Sequence, residues 1–306
     1  MSHQSAAIGV DIGGSKITAV AVGPAGEVLD QEDRLTPGRT TVASVVEDVI
    51  VDAVTALGKR RQSATVGIGA AGFVERTQQR VMFAPHLSWR DEPLAERLGE
   101  RLGMPVLVEN DANAALWAEH RFGAARDAGD VAMITLGTGI GGALLIAGRT
   151  FRGRNGMAGE FGHMQVVPGG RPCECGGTGC WEQYCSGKAL ARFAREAGSE
   201  LSGPALTEAA RSGDAVAVGA FTEVGRWLGA GVANVVAALD PELVVIGGGV
   251  SSAGELLLEP ARRTLQETLV GRGFREMPRL VVAELGPLAG AIGAADLARR
   301  NLCTRR

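Results

Sequence analysis

Apolar positions along the chain change period several times, and each change marks an element. Mainly apolar runs at 8–12 and 17–22, interrupted by Asp11 and Thr18, read as buried strands. Gly13, Gly14, Ser15 and Lys16 lie between them, and Gly23-Pro24-Ala25-Gly26 turns the chain into a third strand starting at Glu27. Val42, Val45, Val46, Val49, Ile50, Ala53, Val54 and Leu57 then recur at helical spacing, which predicts one buried helix stripe. The run 65–70 predicts another buried strand. Pro93 opens a helix carrying Leu94, Leu98 and Leu102. A strand at 105–109 ends at Asn110-Asp111, and a helix at 112–122 is closed by Gly123.

The pattern then restarts. A strand at 131–136 runs into Gly137-Thr138-Gly139-Ile140-Gly141-Gly142, followed by a strand at 143–147 and a turn at Gly148-Arg149. After a Gly- and Cys-rich insert come helical patterns from Ser186 and over 214–239. A strand at 243–246, Gly247-Gly248-Gly249, a helix at 255–269, a strand at 280–283 and a last helix from Pro287 complete the chain. Each half begins strand, Gly turn, strand, and continues through alternating helices and strands. That implies a duplicated α/β domain with parallel-rich sheets covered by helices. It also predicts a cleft between the copies that both Gly turns face. The expected division is a small domain, 1-111, completed by the C-terminal helix 290-306, and a large domain, 112-289, with the insert at 152-182.

A length of 306 residues agrees with two domains at roughly 100–200 residues each. With 45% apolar residues the chain is not disordered. A net charge of −3 leaves no basic footprint for nucleic acid. No apolar run approaches the ~18 residues of a membrane span, and no positively charged export segment precedes the first strand. A cytoplasmic enzyme is expected. The Cys count is five, an odd number in a chain without an export signal, which argues against a disulfide framework.

Asp11 ends the first strand ahead of Gly13, Gly14, Ser15 and Lys16. Glycines let backbone N–H groups approach phosphate oxygens, Lys16 offsets phosphate charge, and Asp11 suits Mg²⁺ held through water. Taken alone, this is either such a site or an ordinary hairpin turn; the P-loop spacing is missing. The turn at 136–142 has Rossmann-like glycines but precedes a strand, which counts against dinucleotide binding. Two Gly turns at equivalent places point more strongly to one nucleotide than either alone. Gly247-Gly248-Gly249 is either a tight crossover or a flat contact for an adenosine. Asp111 at its strand end is either the N-cap of the next helix or a general base for a hydroxyl.

The insert is the sharpest signal. His163, Cys173, Cys175 and Cys180 offer three thiols and an imidazole, a set suited to tetrahedral Zn²⁺. No open position remains, so the ion would be structural. Glu160 and Glu182 flank the ligands and could be fixed toward a polyhydroxylated substrate. Cys185 reads as a packing residue and Cys303 as incidental.

Asp11-Ile12-Gly13-Gly14-Ser15-Lys16, Glu109-Asn110-Asp111-Ala112, Leu136-Gly137-Thr138-Gly139, Glu160-Phe161-Gly162-His163 and the run from Cys173 to Glu182 together resemble the ROK family (repressor, open reading frame, kinase), in order and spacing, over 8–297. Within that family the chain looks most like the actinobacterial-type ATP-dependent glucokinases. The resemblance implies an actin-like fold, shared with hexokinase and heat-shock ATPases, whose two domains close on a sugar. It implies phosphorylation of D-glucose at the 6-hydroxyl, with another hexose, N-acetylmannosamine, or a non-catalytic sugar sensor as alternatives. Asp111 would be the base, and Asn110, Glu160, His163 and Glu182 would hold the other hydroxyls. Asp11, Gly13, Gly14, Ser15, Lys16, Thr138, Gly139 and Gly248 would line the Mg-ATP site, unless polyphosphate is the donor. His163 would also bind structural zinc with the three cysteines. A homo-oligomer, dimer or tetramer, is expected, without nucleic-acid or membrane partners. Ser15 stands where Thr is usual and His86 where Asn is common. With the first strand expected to begin at Ile8, a DNA-binding arm like that of repressor members is not expected, which favours a kinase over a repressor.

Overall fold

The near-continuous apolar runs become strands buried on both faces, and the helical patterns become the layers covering them. The structure is a computed structural model describing residues 6–38, 41–85 and 87–304. The chain divides into two compact units: Met1–Asp127, Thr150–Ala158 and Leu285–Arg306 in one, Ala128–Arg149 and Gly159–Glu284 in the other. This differs from the expected break at 111/112. The helix after Asp111 and the segment after Arg149 both belong to the first unit, because they pack there rather than where chain order would put them.

In the first unit, Ala6–Ile12 (β1), Lys16–Val22 (β2), Val28–Leu35 (β3) and Ser63–Ala70 (β4) precede a small antiparallel sheet of Phe73–Val74 (β5), Val81–Phe83 (β6) and Arg90–Glu92 (β7). Val106–Asn110 (β8) completes the main sheet, whose order is β3-β2-β1-β4-β8. β1 pairs antiparallel with β2 and parallel with β4, and β4 pairs parallel with β8. Helices Ala43–Arg60 (α1), Leu94–Leu102 (α2) and Asp111–Phe122 (α3) belong to this unit. Its core joins Ile8, Val10, Ile50, Leu57, Ile68 and Trp89.

The second unit repeats the plan. Val131–Leu136 (β9), Ile140–Ile146 (β10), Arg149–Thr150 (β11), Leu243–Gly247 (β12) and Arg279–Val282 (β13) form a sheet of order β11-β10-β9-β12-β13. β9 pairs antiparallel with β10 and parallel with β12, as β1 does with β2 and β4. Helices Gly187–Glu196 (α4), Gly203–Arg211 (α5), Ala215–Leu239 (α6) and Glu255–Thr268 (α7) accompany it, and Leu136, Trp181, Phe221, Leu228 and Ile246 share its core. The duplicated α/β plan therefore holds, but the sheets are mixed rather than parallel-rich. α5 was not among the expected elements; the Pro in its first turn favours a helix start there. No helix among the described residues is long and apolar enough to cross a membrane.

The last helix, Ala289–Thr304 (α8), packs on β1, β4 and α3 at backbone distance. A methyl group on Gly67 would overlap the carbonyl of Ala294, and one on Gly9 that of Ala291. A Gly→Ala change normally stabilises by about 0.4–1 kcal/mol through the unfolded state. At Gly67 the clash is with backbone that cannot swing away, and overpacking costs about 1–3 kcal/mol or more. Gly67→Ala is therefore expected to lower the denaturation midpoint; an unchanged midpoint would show that α8 can move off the sheet.

Candidate active site

β8 delivers Asn110 and α3 begins at Asp111, both at the carboxyl end of the sheet, where α/β folds bind ligands. Asn110 Oδ1 accepts from the N–H of Asn113 at 3.0 Å, and its Nδ2 donates to the Gly72 carbonyl at 3.1 Å. Asn110 is thus the N-cap of α3. The Asp111 carboxylate is therefore not needed as the cap, and it accepts from the N–H of Ala112 at 2.9 Å. Burial pushes the Asp111 carboxyl up to about 6, against the pull of its hydrogen bonds.

Asp11 is next to last in β1, in register with Gly69 of β4. Burial first, and the charge of Asp111 second, push its carboxyl up to about 7. Gly290 of α8 leaves it room, since a Cβ there would stand 3.1 Å from Asp11 Cγ. A buried carboxyl raised further by the charge of a second one has the donor chemistry a hydrated divalent cation relieves, so the residues present fit Mg²⁺. The turn after Asp11 is braced by Thr36, whose hydroxyl donates to the Gly13 carbonyl at 2.8 Å and whose N–H donates to the Ser15 carbonyl at 3.1 Å. Gly14 and Ser15 face solvent. Lys16 Nζ pairs with Asp33 at 3.2 Å, both half-exposed. Such a pair is worth at most about 1 kcal/mol, so it does not hold Lys16 back from a phosphate.

In the second unit, the turn after β9 and the turn after β12 meet. Gly248 sits at φ +80°, and any Cβ there would press on the Leu136 backbone, so only glycine fits. Beside these turns a pocket of about 800 Å³ is lined by Thr138, Lys188, Thr207, Arg211, Gly249 and Ser252, among others. Its size suits a nucleoside. Thr138 lines it directly; Gly139 and Gly248 do not, though Gly137 and Gly249 do. Gly139 instead admits Glu182, whose Oε2 lies 2.6 Å from where a Cβ would be.

The insert is anchored by Trp181, fully buried, whose Nε1 donates to the Trp227 carbonyl of α6 at 2.8 Å. Ligand atoms of His163, Cys173, Cys175 and Cys180 all lie within 4.8 Å of one another. Cys175 and Cys180 sulfurs are 3.6 Å apart, and Cys173 Sγ is 3.7 Å from His163 Nδ1. A tetrahedral ion with bonds of about 2.3 Å requires ligand separations of roughly 3.8 Å, so the set fits Zn²⁺. Glu182 Oε1 lies 3.3 Å from Cys173 Sγ, and its Oε2 accepts from the N–H of Ile140 at 3.4 Å. Glu182 therefore links the cysteine cluster to the Gly turn. Glu160 lies just ahead of the short helical turn Phe161–His163 and is exposed.

Cys185 is buried against the Val224 carbonyl, a packing position. His120 Nδ1 lies 3.2 Å from the Ala125 carbonyl, a partner the sequence did not reveal. His3 and His86 lie outside the described residues, as does the side chain of Cys303. Thr36 and Asp33, against the Asp11 turn, and Gln78 and Arg152, which bond to Glu109 beside Asn110, had no signal in the sequence, because each acts across the fold.

The profile of the ROK family matches residues 7–301. The glucokinase of Streptomyces coelicolor is 43% identical over 310 residues, covering 95% of this chain and 97% of that protein. The putative xylose repressor of Caldicellulosiruptor is 31% identical, covering 95% of this chain and 77% of that protein. A crystal structure of a ROK family glucokinase from Streptomyces griseus, in complex with glucose and AMPPNP, superposes with a TM-score of 0.89 at 45% identity, over 97% of this chain and 100% of that one.

Proposed function

The chain belongs to the ROK family, and on that premise we propose that it is an ATP-dependent glucokinase, transferring the γ-phosphoryl group of ATP to the 6-hydroxyl of D-glucose. The observation that carries this reading is the full-length likeness to Streptomyces glucokinases, one of them in complex with glucose and an ATP analogue. The fold is the actin-like sugar-kinase fold of those relatives.

Asp111 accepts the hydroxyl proton as the sugar oxygen bonds to the γ-phosphorus and the bond to the β-phosphate oxygen breaks, so that ADP leaves with the electron pair. A base near pKa 6 suits this task at neutral pH, being ionised yet still basic. Asn110, Glu160, His163 and Glu182 hold the remaining hydroxyls. Gly13, Gly14, Ser15, Lys16, Thr138, Gly139 and Gly248 serve the nucleotide, with the adenosine in the pocket beside Thr138. Mg²⁺, which enters with ATP and offsets developing phosphate charge, would be held through water by Asp11. His163, Cys173, Cys175 and Cys180 would hold one structural Zn²⁺. The proposed setting is the cytoplasm and the proposed working form a homo-oligomer, dimer or tetramer, which light scattering reads directly.

The test is ADP release, coupled to a dehydrogenase, over a panel of hexoses and N-acetylmannosamine, with ATP and polyphosphate as donors. Turnover with glucose and ATP far above the rest is expected. The xylose repressor relative supplies a second reading, a sugar sensor, and glucose binding by calorimetry without any ADP release would favour it.

The acid limb of kcat/KM follows from the raised Asp111 pKa. Protonated Asp111 cannot take the proton, so activity should fall as pH drops through about 6. A limb near the ordinary Asp value of about 3.9 would contradict the role assigned to burial.

A further inference from the structure

The glucokinase reading uses Asp111 but leaves unexplained the carboxylate two positions before it. Glu109 is 1% exposed, and its oxygens are held by donors from three chain segments. Oε1 accepts from the N–H of Asn110 at 3.0 Å and from Nδ2 of Asn113 at 3.1 Å. Oε2 accepts from Nε2 of Gln78 at 2.7 Å and from Nε of Arg152 at 2.8 Å, and Nη2 of Arg152 also donates to it. Arg152 sits in Thr150–Ala158, far from β8 in sequence but part of the same unit.

Gln78 adds an independent observation. It occupies φ +63°, a conformation that side chains other than Gly, Asn and Asp seldom adopt. Its carbonyl accepts from the N–H of Val108 at 3.0 Å, so backbone and side chain both fasten it to β8. Non-glycine residues keep such angles where the surroundings over-determine them, and they gather at functional sites. A buried ion pair by itself adds little to stability compared with apolar packing of the same shape. What this one does that apolar packing cannot is tie down the Asn110 N–H and the Asn113 side chain in the first turn of α3, the turn that carries Asp111.

We propose that Arg152 and Gln78, acting through Glu109, are positioning residues that aim Asp111 at the acceptor hydroxyl. The inference rests on the kinase reading, since it assigns the base to Asp111. Two variants of the full chain test it, with kcat, both KM values and the thermal midpoint measured for each.

Gln78→Gly removes the amide bond to Glu109 while relieving the left-handed backbone. A purely structural role predicts a midpoint shifted by the balance of lost bond and relieved backbone, with turnover unchanged. The proposal predicts kcat of the folded variant lowered roughly 10-fold whichever way the midpoint moves, a fraction of the roughly 10²-fold that a misplacement of about 1 Å can cost. Arg152→Lys keeps the charge but loses the fork, and kcat should fall roughly 10- to 100-fold on the same ground. In both, KM for ATP should stay within about 2-fold, because the nucleotide groups lie elsewhere. Should Arg152→Lys fail to fold, Gln78→Gly decides alone. Folded variants with wild-type kcat overturn the inference while leaving the kinase reading intact. Absence of glucose-dependent ADP release from the wild type overturns the kinase reading and this inference with it.

Discussion

Asp111→Asn is expected to lower kcat by roughly 10²–10⁴-fold, the usual worth of a positioned general base. Asn matches the shape of Asp and can still accept from the Ala112 N–H, so orientation is kept and only basicity is lost. The helix start should survive, because the cap of α3 is Asn110 rather than Asp111. Stability should even gain slightly at neutral pH. A carboxyl whose folded pKa is about 6, above its unfolded value of 3.8, binds more protons folded than unfolded between those values. Stability therefore falls as pH rises through that window, and above it the full penalty of a buried charge is present, which Asn does not carry. KM for ATP should change little. Removing the Asp111 charge also removes the second of the two influences that raise Asp11, so Asp11 should ionise at lower pH. Steady-state kinetics beside thermal melts checks the whole pattern. A folded variant with near wild-type kcat would sink the base assignment.

Cys175→Ser carries the second large effect. The wild type is expected to hold one zinc per chain by elemental analysis and the variant much less. Structural zinc contributes roughly 10–16 kcal/mol of apparent binding free energy in small peptides. Here only part of that shows as stability, since the unit has a core of its own around Trp181, Phe221 and Leu228. The insert carries Glu160, His163 and Glu182, so loosening it should raise the glucose KM by roughly 10- to 100-fold, the usual cost of losing a partner that orients a site. The effect on ATP should be smaller but not nil, because Glu182 reaches from Cys173 to the N–H of Ile140 in the Gly turn. His163→Ala should be worse for sugar, as on the proposed assignment it removes a zinc ligand and a hydroxyl contact together. Fully active, metal-free wild type would end this account of the insert.

Legibility in the sequence followed from how local each feature is. The apolar runs at 8–12 and 131–136 and the Gly turns behind them are local patterns, and the structure has strands and turns there. The four zinc-type ligands are legible because three of them fall within eight residues, 173–180. Asp111 was ambiguous because cap and base look alike until the Asn110 side chain is seen bonding to Asn113. β5, β6 and β7 have two or three residues each, too few to show any period. Gln78 and Arg152 were invisible for a different reason: their meaning lies in contacts with Glu109 across 31 and 43 residues of chain. The parallel-rich expectation failed because the hairpins β1–β2 and β9–β10, read correctly as strand, turn, strand, are themselves antiparallel pairs.

The central claim is that Asp111 serves phosphoryl transfer to the 6-hydroxyl of glucose, and the product itself tests it most directly. Incubation of the protein with Mg-ATP and D-glucose, followed by ³¹P NMR, should show ADP together with a phosphate ester split by the two protons on C6, and Asp111→Asn should yield almost none in the same time. No ester from the wild type, an ester at another carbon, or equal yields from the two proteins would contradict it.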